Sequence, residues 1–281
     1  MISEQPEIQN QEVVELFEQI QIQKKQPDTK QPDTKQSDTK QMIQNIKEKK
    51  LSFTQYVKCA DTLWYVDNKN KICITFTPRA GCSIAFQQYL DLVGLLEDGL
   101  NCNTFIHTYR CNIFNKNITL KNISNLIKEK YTFIKFIINP YIRAVSAYRT
   151  INHNLSFRTY LNQLVNNKFK MTQFEKLHTA PQYLDGEEKI ITKYIKIDEN
   201  EKYTIILHDG TLYEIDVNKY TSPHHGIRID STEFCGDIPK NIINTKLPKS
   251  YKYFYDDEIK SLVDTYYKND IEKYKFSFDT I

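Results

Sequence analysis

The chain has 281 residues, with 38 lysines and arginines against 35 aspartates and glutamates, a formal charge of +3. That near balance excludes a protein that coats a polyanion along its whole surface, so no nucleic-acid partner is expected, though a local basic patch is compatible with it. Apolar residues make up 40% of the chain and glycine numbers only seven, which suits one domain of roughly 200 to 250 residues plus an appendage and excludes Gly-rich repeats.

In chain order, the first signal is a single apolar face, Val13, Leu16, Phe17 and Ile20, within a short amphipathic helix expected over residues 1–25. About three turns are marginal alone, so this helix is expected to dock on the main domain or on a protein partner. A linker follows at 26–41, built from the pentads QPDTK, QPDTK and QSDTK, which carry no large apolar side chain to offset the entropy of ordering. The functional domain is expected over 50–281. Residues 71–77 (KICITFT) read as a buried strand, 78–83 as a loop, and 83–96 as a helix with Phe86, Leu90, Val93 and Leu96 on one stripe. Residues 103–108 (NTFIHT) read as a second strand and 132–138 (TFIKFII) as a third, after which Asn139 caps and Pro140 opens a helix to about Ile151. Residues 203–207 and 212–217 flank a hairpin turn at His208-Asp209-Gly210, and 256–274 read as an amphipathic helix. Strands alternating with helices predict an α/β fold with a central, mostly parallel sheet flanked by helices.

No run reaches the roughly 20 apolar residues of a membrane span, and the N-terminus is polar and acidic where a signal peptide is basic and then apolar, so a cytoplasmic protein without a membrane span is expected. The six cysteines lack CxxC or CxH spacing, which points to neither a zinc site nor a disulfide scaffold; a Cys102 to Cys111 pair is open, with reduced thiols the expected state. His224, His225 and His208 have no metal-ligand spacing, and no metal is expected. Trp64, Tyr65 and the many tyrosines suit either core positions or stacking on sugar rings.

Two loops carry chemistry. TPRAGCS, residues 77–83, lies between a strand and a helix: helix N-terminal amides attract an anion, Gly81 permits close approach, Ser83 adds a hydroxyl and Arg79 a fixed charge. An ordinary strand-to-helix turn with a surface arginine reads the same when taken alone. The Walker pattern GxxxxGK[ST] is absent. INPYIRAVSAYR, residues 138–149, spaces Arg143, Ser146 and Arg149 at i, i+3 and i+6, which suits a second anion or a solvated basic face.

Together the loops resemble the sulfotransferase superfamily, in particular its carbohydrate sulfotransferases. TPRAGCS is similar to the family's 5′-phosphosulfate loop, Pro-Lys-x-Gly-[Cys/Ser/Thr]-[Thr/Ser], and INPYIRAVSAYR to its 3′-phosphate element. HTAPQ, residues 178–182, is similar to the family's His-x-x-Pro-Gln, and residues 255–276 resemble its C-terminal helix with Tyr-x-x-Asp-[Phe/Ile]-Glu. The resemblance implies a three-layer P-loop-like fold and sulfuryl transfer from 3′-phosphoadenosine 5′-phosphosulfate to a hydroxyl, expected on a carbohydrate. Donor binding would fall to Arg79, Ala80, Gly81, Cys82, Ser83, Arg143, Ser146 and Arg149. Arg79 stands where the family has Lys, which keeps the charge but changes its shape. Ile138 stands where the family has Arg, which removes a charge-assisted contact of about 1.5 to 3 kcal/mol unless Arg149, Arg110 or Arg228 fills in.

Transfer needs positioned cations and a base for the acceptor hydroxyl. Arg79 is assigned the electrostatic role. His107, expected at the end of the 103–108 strand on the same rim, is the first choice of base; His178 is the second, with Glu175 behind it. A catalytically inactive binding protein of the same fold, tethered by its N-terminal helix, and a P-loop-type kinase are the competing expectations.

Overall fold

The computed structural model describes residues 64–102, 106–112, 120–199, 201–220, 232–243, 248 and 250–281. The expected N-terminal helix at 1–25, the 26–41 linker, Arg228 and the His224-His225 pair lie outside the described residues. In chain order the elements are β1 (Trp64–Asp67), β2 (Ile72–Phe76), α1 (Cys82–Leu92), α2 (Leu96–Asn101), α3 (Ile106–Asn112), α4 (Leu120–Lys128), β3 (Thr132–Ile137), α5 (Pro140–Thr150), α6 (Phe157–Val165), α7 (Gln173–Thr179), β4 (Lys193–Lys196), β5 (Lys202–Ile206), β6 (Leu212–Asp216), α8 (Lys240–Ile243), α9 (Asp257–Tyr266) and α10 (Lys268–Tyr274). The fold is mixed α/β. Strands β1 to β4 form a four-stranded, mostly parallel sheet in the order β1-β2-β3-β4, its edge strand β1 antiparallel to β2, and β5 pairs with β6 as a separate hairpin. Among the described residues no helix is long and apolar enough to cross a membrane.

The described residues divide into two compact units, one holding those of 64–75, 120–135 and 184–193, the other those of 76–112, 136–183 and 194–281. In the first unit, Trp64 and Tyr65 are buried, with Trp64 edge-on to Phe133 at 5.9 Å, so neither is a surface platform for a sugar. Lys135 and Glu187 form an ion pair at 2.5 Å with both side chains fully excluded from water. Such a pair costs desolvation of both ions, so breaking it is far worse than replacing it whole.

In the second unit, α5, α6 and α9 pack around an aromatic core in which Tyr148, Phe157, Tyr160, Phe254 and Tyr267 have no exposed surface. The helices start where the side chains dictate. Asn139 accepts from the Tyr141 amide with Pro140 at the first helical position, Ser156 caps α6, Thr172 and Glu175 form a capping box on α7, and Asp256 caps α9.

Three expectations are corrected. The expected strand at 103–108 is not present in its described part: 103–105 lie outside the described residues, and Ile106 onward is helix α3, where burial falls on Ile106 and Tyr109 at the i, i+3 spacing of a helix face. The alternation of Thr and Ile in NTFIHT imitates a strand but is too short to distinguish the two periods. The helix after TPRAGCS stops at Leu92, because Gly94 takes φ +73° and Leu95 N–H returns to Leu90 O at 2.7 Å, a glycine-terminated helix end. The C-terminal helix is broken at Tyr267 into α9 and α10. The hairpin is as expected, with Gly210 at φ +84° in its turn.

His153 lies in this aromatic core, stacked on Tyr160 at 5.0 Å and 14°, with Nδ1 accepting from Leu155 N–H at 3.2 Å. Burial, aided by the Lys240 charge, pushes its pKa down to about 4 from the ordinary 6.5. A histidine whose folded pKa is depressed takes up its proton more readily when unfolded, so it withdraws stability as pH falls from 6.5 towards 4. His153→Phe is expected to flatten the fall in unfolding midpoint between pH 6.5 and 4; an unchanged slope by thermal denaturation would place the acid sensitivity elsewhere.

Candidate functional site

The loop after β2 is a turn of a particular kind. Ala80 N–H donates to Thr77 O at 3.0 Å, with Pro78 at the second position and Arg79 at the third, where φ is +65°. Proline there followed by positive φ is the pattern of a type II turn, whose third position ordinarily takes Gly or Asn. Arg79 bears that strain, and its guanidinium is tied down: Nε and Nη2 donate to Ser146 Oγ of α5 at 2.9 and 2.6 Å. Gly81 follows with φ +72°, and its carbonyl accepts the first turn bond of α1 from Ala85 N–H. No side chain caps α1, so the amides at its start lack acceptors within the helix.

Helix α5 brings a second guanidinium to the same loop. Arg143 Nε donates to Pro78 O at 3.2 Å, and its Cζ lies 5.7 Å from the centroid of the Tyr267 ring. The side chain is fully buried, yet both terminal nitrogens, Nη1 and Nη2, have no hydrogen-bond acceptor among the described residues. A buried, unmatched pair of cationic donors is a costly arrangement that an anion would repair.

The histidines close in from two sides. His107 sits on α3 and not on a strand end, and its Nε2 nevertheless reaches the start of α1, 3.0 Å from Ser83 Oγ and 3.7 Å from Cys82 Sγ. His178, on α7, bonds through Nδ1 to Phe174 O at 2.7 Å. Its pKa is held below the ordinary range by burial and then by the charges of Arg79, Arg143 and Arg110, against the Phe174 carbonyl, which acts in the opposite sense. Arg149, on the last turn of α5, lies near Lys240 and, after burial, helps lower that ammonium's pKa.

The remaining motif pieces interlock with these. Gln182 clamps Ile138 through its backbone at both ends, accepting from Ile138 N–H at 3.0 Å and donating to Ile138 O at 2.7 Å. Asp270 accepts from the amides of Gln182 and Tyr183 at 2.8 and 2.7 Å, and Tyr267 Oη donates to Thr179 O at 2.9 Å. HTAPQ and the C-terminal Tyr-x-x-Asp therefore hold each other and the start of α5, which fixes where Arg143 and Ser146 project.

Sequence reasoning missed Asp198. Its Oδ1 accepts from Asn139 N–H at 3.2 Å, its Oδ2 is buried without a hydrogen-bond partner among the described residues, and burial raises its pKa to about 6. Its neighbour Ile197 packs on Gly81. An isolated aspartate after a lysine-rich strand carries no signal in the sequence.

No protein-family model matches the chain, and no curated protein or solved structure is significantly similar to it.

A Cβ at Gly81 would stand 1.9 Å from Ile197 Cδ1 on a backbone with φ +72°. The clash falls on the end of a side chain that can move; the left-handed backbone cannot be relieved in that way. Gly81→Ala is expected to cost about 1 to 2 kcal/mol from the backbone alone, and Ile197→Ala in the same chain to recover only the steric part. Full recovery in chemical denaturation would show that Gly81 is there for space and not for conformation.

Proposed function

We propose that the chain is a sulfotransferase, moving a sulfuryl group from 3′-phosphoadenosine 5′-phosphosulfate to a hydroxyl acceptor, on a three-layer P-loop-like fold. The observation that carries the reading is Arg143: fully buried, bonded to the anion loop at Pro78, with two donors unmatched. The arrangement fits a doubly anionic nucleotide, since the uncapped start of α1 with Ser83 suits one phosphate and the α5 face bearing Arg143 and Ser146 suits the other.

The donor supplies the activated sulfuryl group; the chain's own residues position it and move a proton. Arg79, aligned by Ser146, provides the charge for the oxygens that become more negative during transfer, and the backbone amides of Gly81, Cys82 and Ser83 provide neutral donors, the Ala80 N–H being already bonded to Thr77 O. His107 Nε2 is the proposed proton acceptor for the acceptor hydroxyl, because it already lies at hydrogen-bond distance from Ser83 at the mouth of the loop. His178 is less suited, since the charges of three guanidiniums oppose its taking up a proton. A carbohydrate acceptor rests on the resemblance of the four motifs. Ile138 makes its described hydrogen bonds to Gln182 through its backbone, and an aliphatic side chain adds no donor for the nucleotide, which predicts weaker donor affinity than a chain with arginine there.

Calorimetric titration with adenosine 3′,5′-bisphosphate is expected to show binding near micromolar concentration, weakened at least about tenfold by Arg79→Ala, with ATP binding less tightly. No bisphosphate binding, or preference for ATP, overturns the reading. Binding without sulfate transfer to any of a glycan panel would instead assign the chain as a nucleotide-binding protein of this fold. Where transfer occurs, His107→Ala is expected to abolish turnover while leaving bisphosphate affinity within about twofold.

A further inference from the structure

The function proposed above gives Cys82 no chemistry, yet its surroundings are those of a nucleophile. Cys82 is the first residue of α1, an eleven-residue helix without a side-chain cap, and its thiol is free and half-buried. His107 Nε2, 3.7 Å from Sγ, is placed to take the proton once its alternative contact, Ser83 Oγ at 3.0 Å, gives way. Arg79 belongs to the same turn and is bonded to Ser146 of α5, and the fully buried Arg143 of α5 donates to Pro78 O of that turn, with two terminal nitrogens lacking an acceptor among the described residues. Of the other cysteines whose side chains are described, Cys73 and Cys235 are buried, and burial pushes both thiols up; Cys102 is free and half-buried at the C-terminal end of α2, with no hydrogen bond to a histidine among the described residues.

We infer that Cys82 is a reactive thiol that undergoes disulfide exchange with small-molecule disulfides, and that the resulting mixed disulfide closes the anion loop. In the exchange, the Cys82 proton passes to His107 Nε2 and the thiolate attacks one sulfur of the incoming disulfide. One S–S bond forms as another breaks, and the departing sulfur leaves with the bonding electron pair and takes up the proton. Cys82 is oxidised to the disulfide level and half of the reagent is reduced to a thiol, so no further oxidant is needed. The retained half then occupies the start of α1. The closure part of the inference rests on the anion site proposed above; the reactivity of Cys82 does not.

The full chain, free of nucleotide, is treated with 4,4′-dithiodipyridine, an uncharged disulfide that the arginines do not attract, and modification is followed site by site by peptide mass spectrometry. Cys82 is expected to react at least about tenfold faster than Cys102 of the same chain, and His107→Gln to bring the two rates to within about threefold. Cys102 serves as the internal reference, so the comparison holds even for a variant of altered stability. Equal rates in the wild type, or a His107→Gln chain that keeps the full difference, overturn the inference. The modified chain is then titrated with adenosine 3′,5′-bisphosphate: affinity lost at least tenfold and restored by dithiothreitol supports closure, and unchanged affinity refutes it. If the unmodified chain does not bind the bisphosphate, the donor reading and closure fall together, and the labelling rates still decide whether Cys82 is reactive.

Discussion

A guanidinium withdrawn from water, with two of its nitrogens unmatched among the described residues, is the constraint around which the second unit is arranged. Burial of a charge is tolerated only where something compensates for it, and Arg143 has one carbonyl and the face of one tyrosine ring. Neither is an anion. Much of the surrounding structure fixes that side chain: Asn139 and Pro140 set the start of α5, Gln182 grips Ile138 just before it, and Asp270 and Tyr267 brace the segment that carries Gln182. In the reading proposed above, the nucleotide would supply the counter-ion that the described residues do not.

Arg79 shows the same economy in a different form. A positive φ at a non-glycine residue is unfavourable, and the turn that requires it would be relaxed by glycine. Arginine there keeps the guanidinium on the loop itself, where Ser146 receives two of its hydrogen bonds. That pair of bonds joins the two motif loops directly, so their placement depends on the same hydroxyl.

Much of this was legible in the chain. The cap at Asn139, the strands before each loop and the hairpin at Gly210 follow from local rules that leave little choice: a capping side chain, a proline at the first helical position, a glycine where φ must be positive. The bonds from Arg79 to Ser146 were not read from the sequence, which placed the two residues in separate anion-binding elements. The places where sequence reasoning failed are physically instructive. Residues 103–108 have too few side chains to separate a two-residue period from a 3.6-residue one, and His107 reached the loop from a helix instead of from a strand. Asp198 was invisible because its character comes from burial against Asn139, a long-range contact that no local pattern records.

The account stands or falls on whether Arg143 is there for an anion or for packing, and thermal unfolding of Arg143→Met with and without adenosine 3′,5′-bisphosphate distinguishes the two. Methionine keeps much of the aliphatic stem and removes the unmatched charge. The account predicts a free variant at least as stable as the wild type, whose midpoint the bisphosphate no longer raises. A variant that unfolds several degrees lower without ligand, and still gains the full wild-type shift with it, would contradict it.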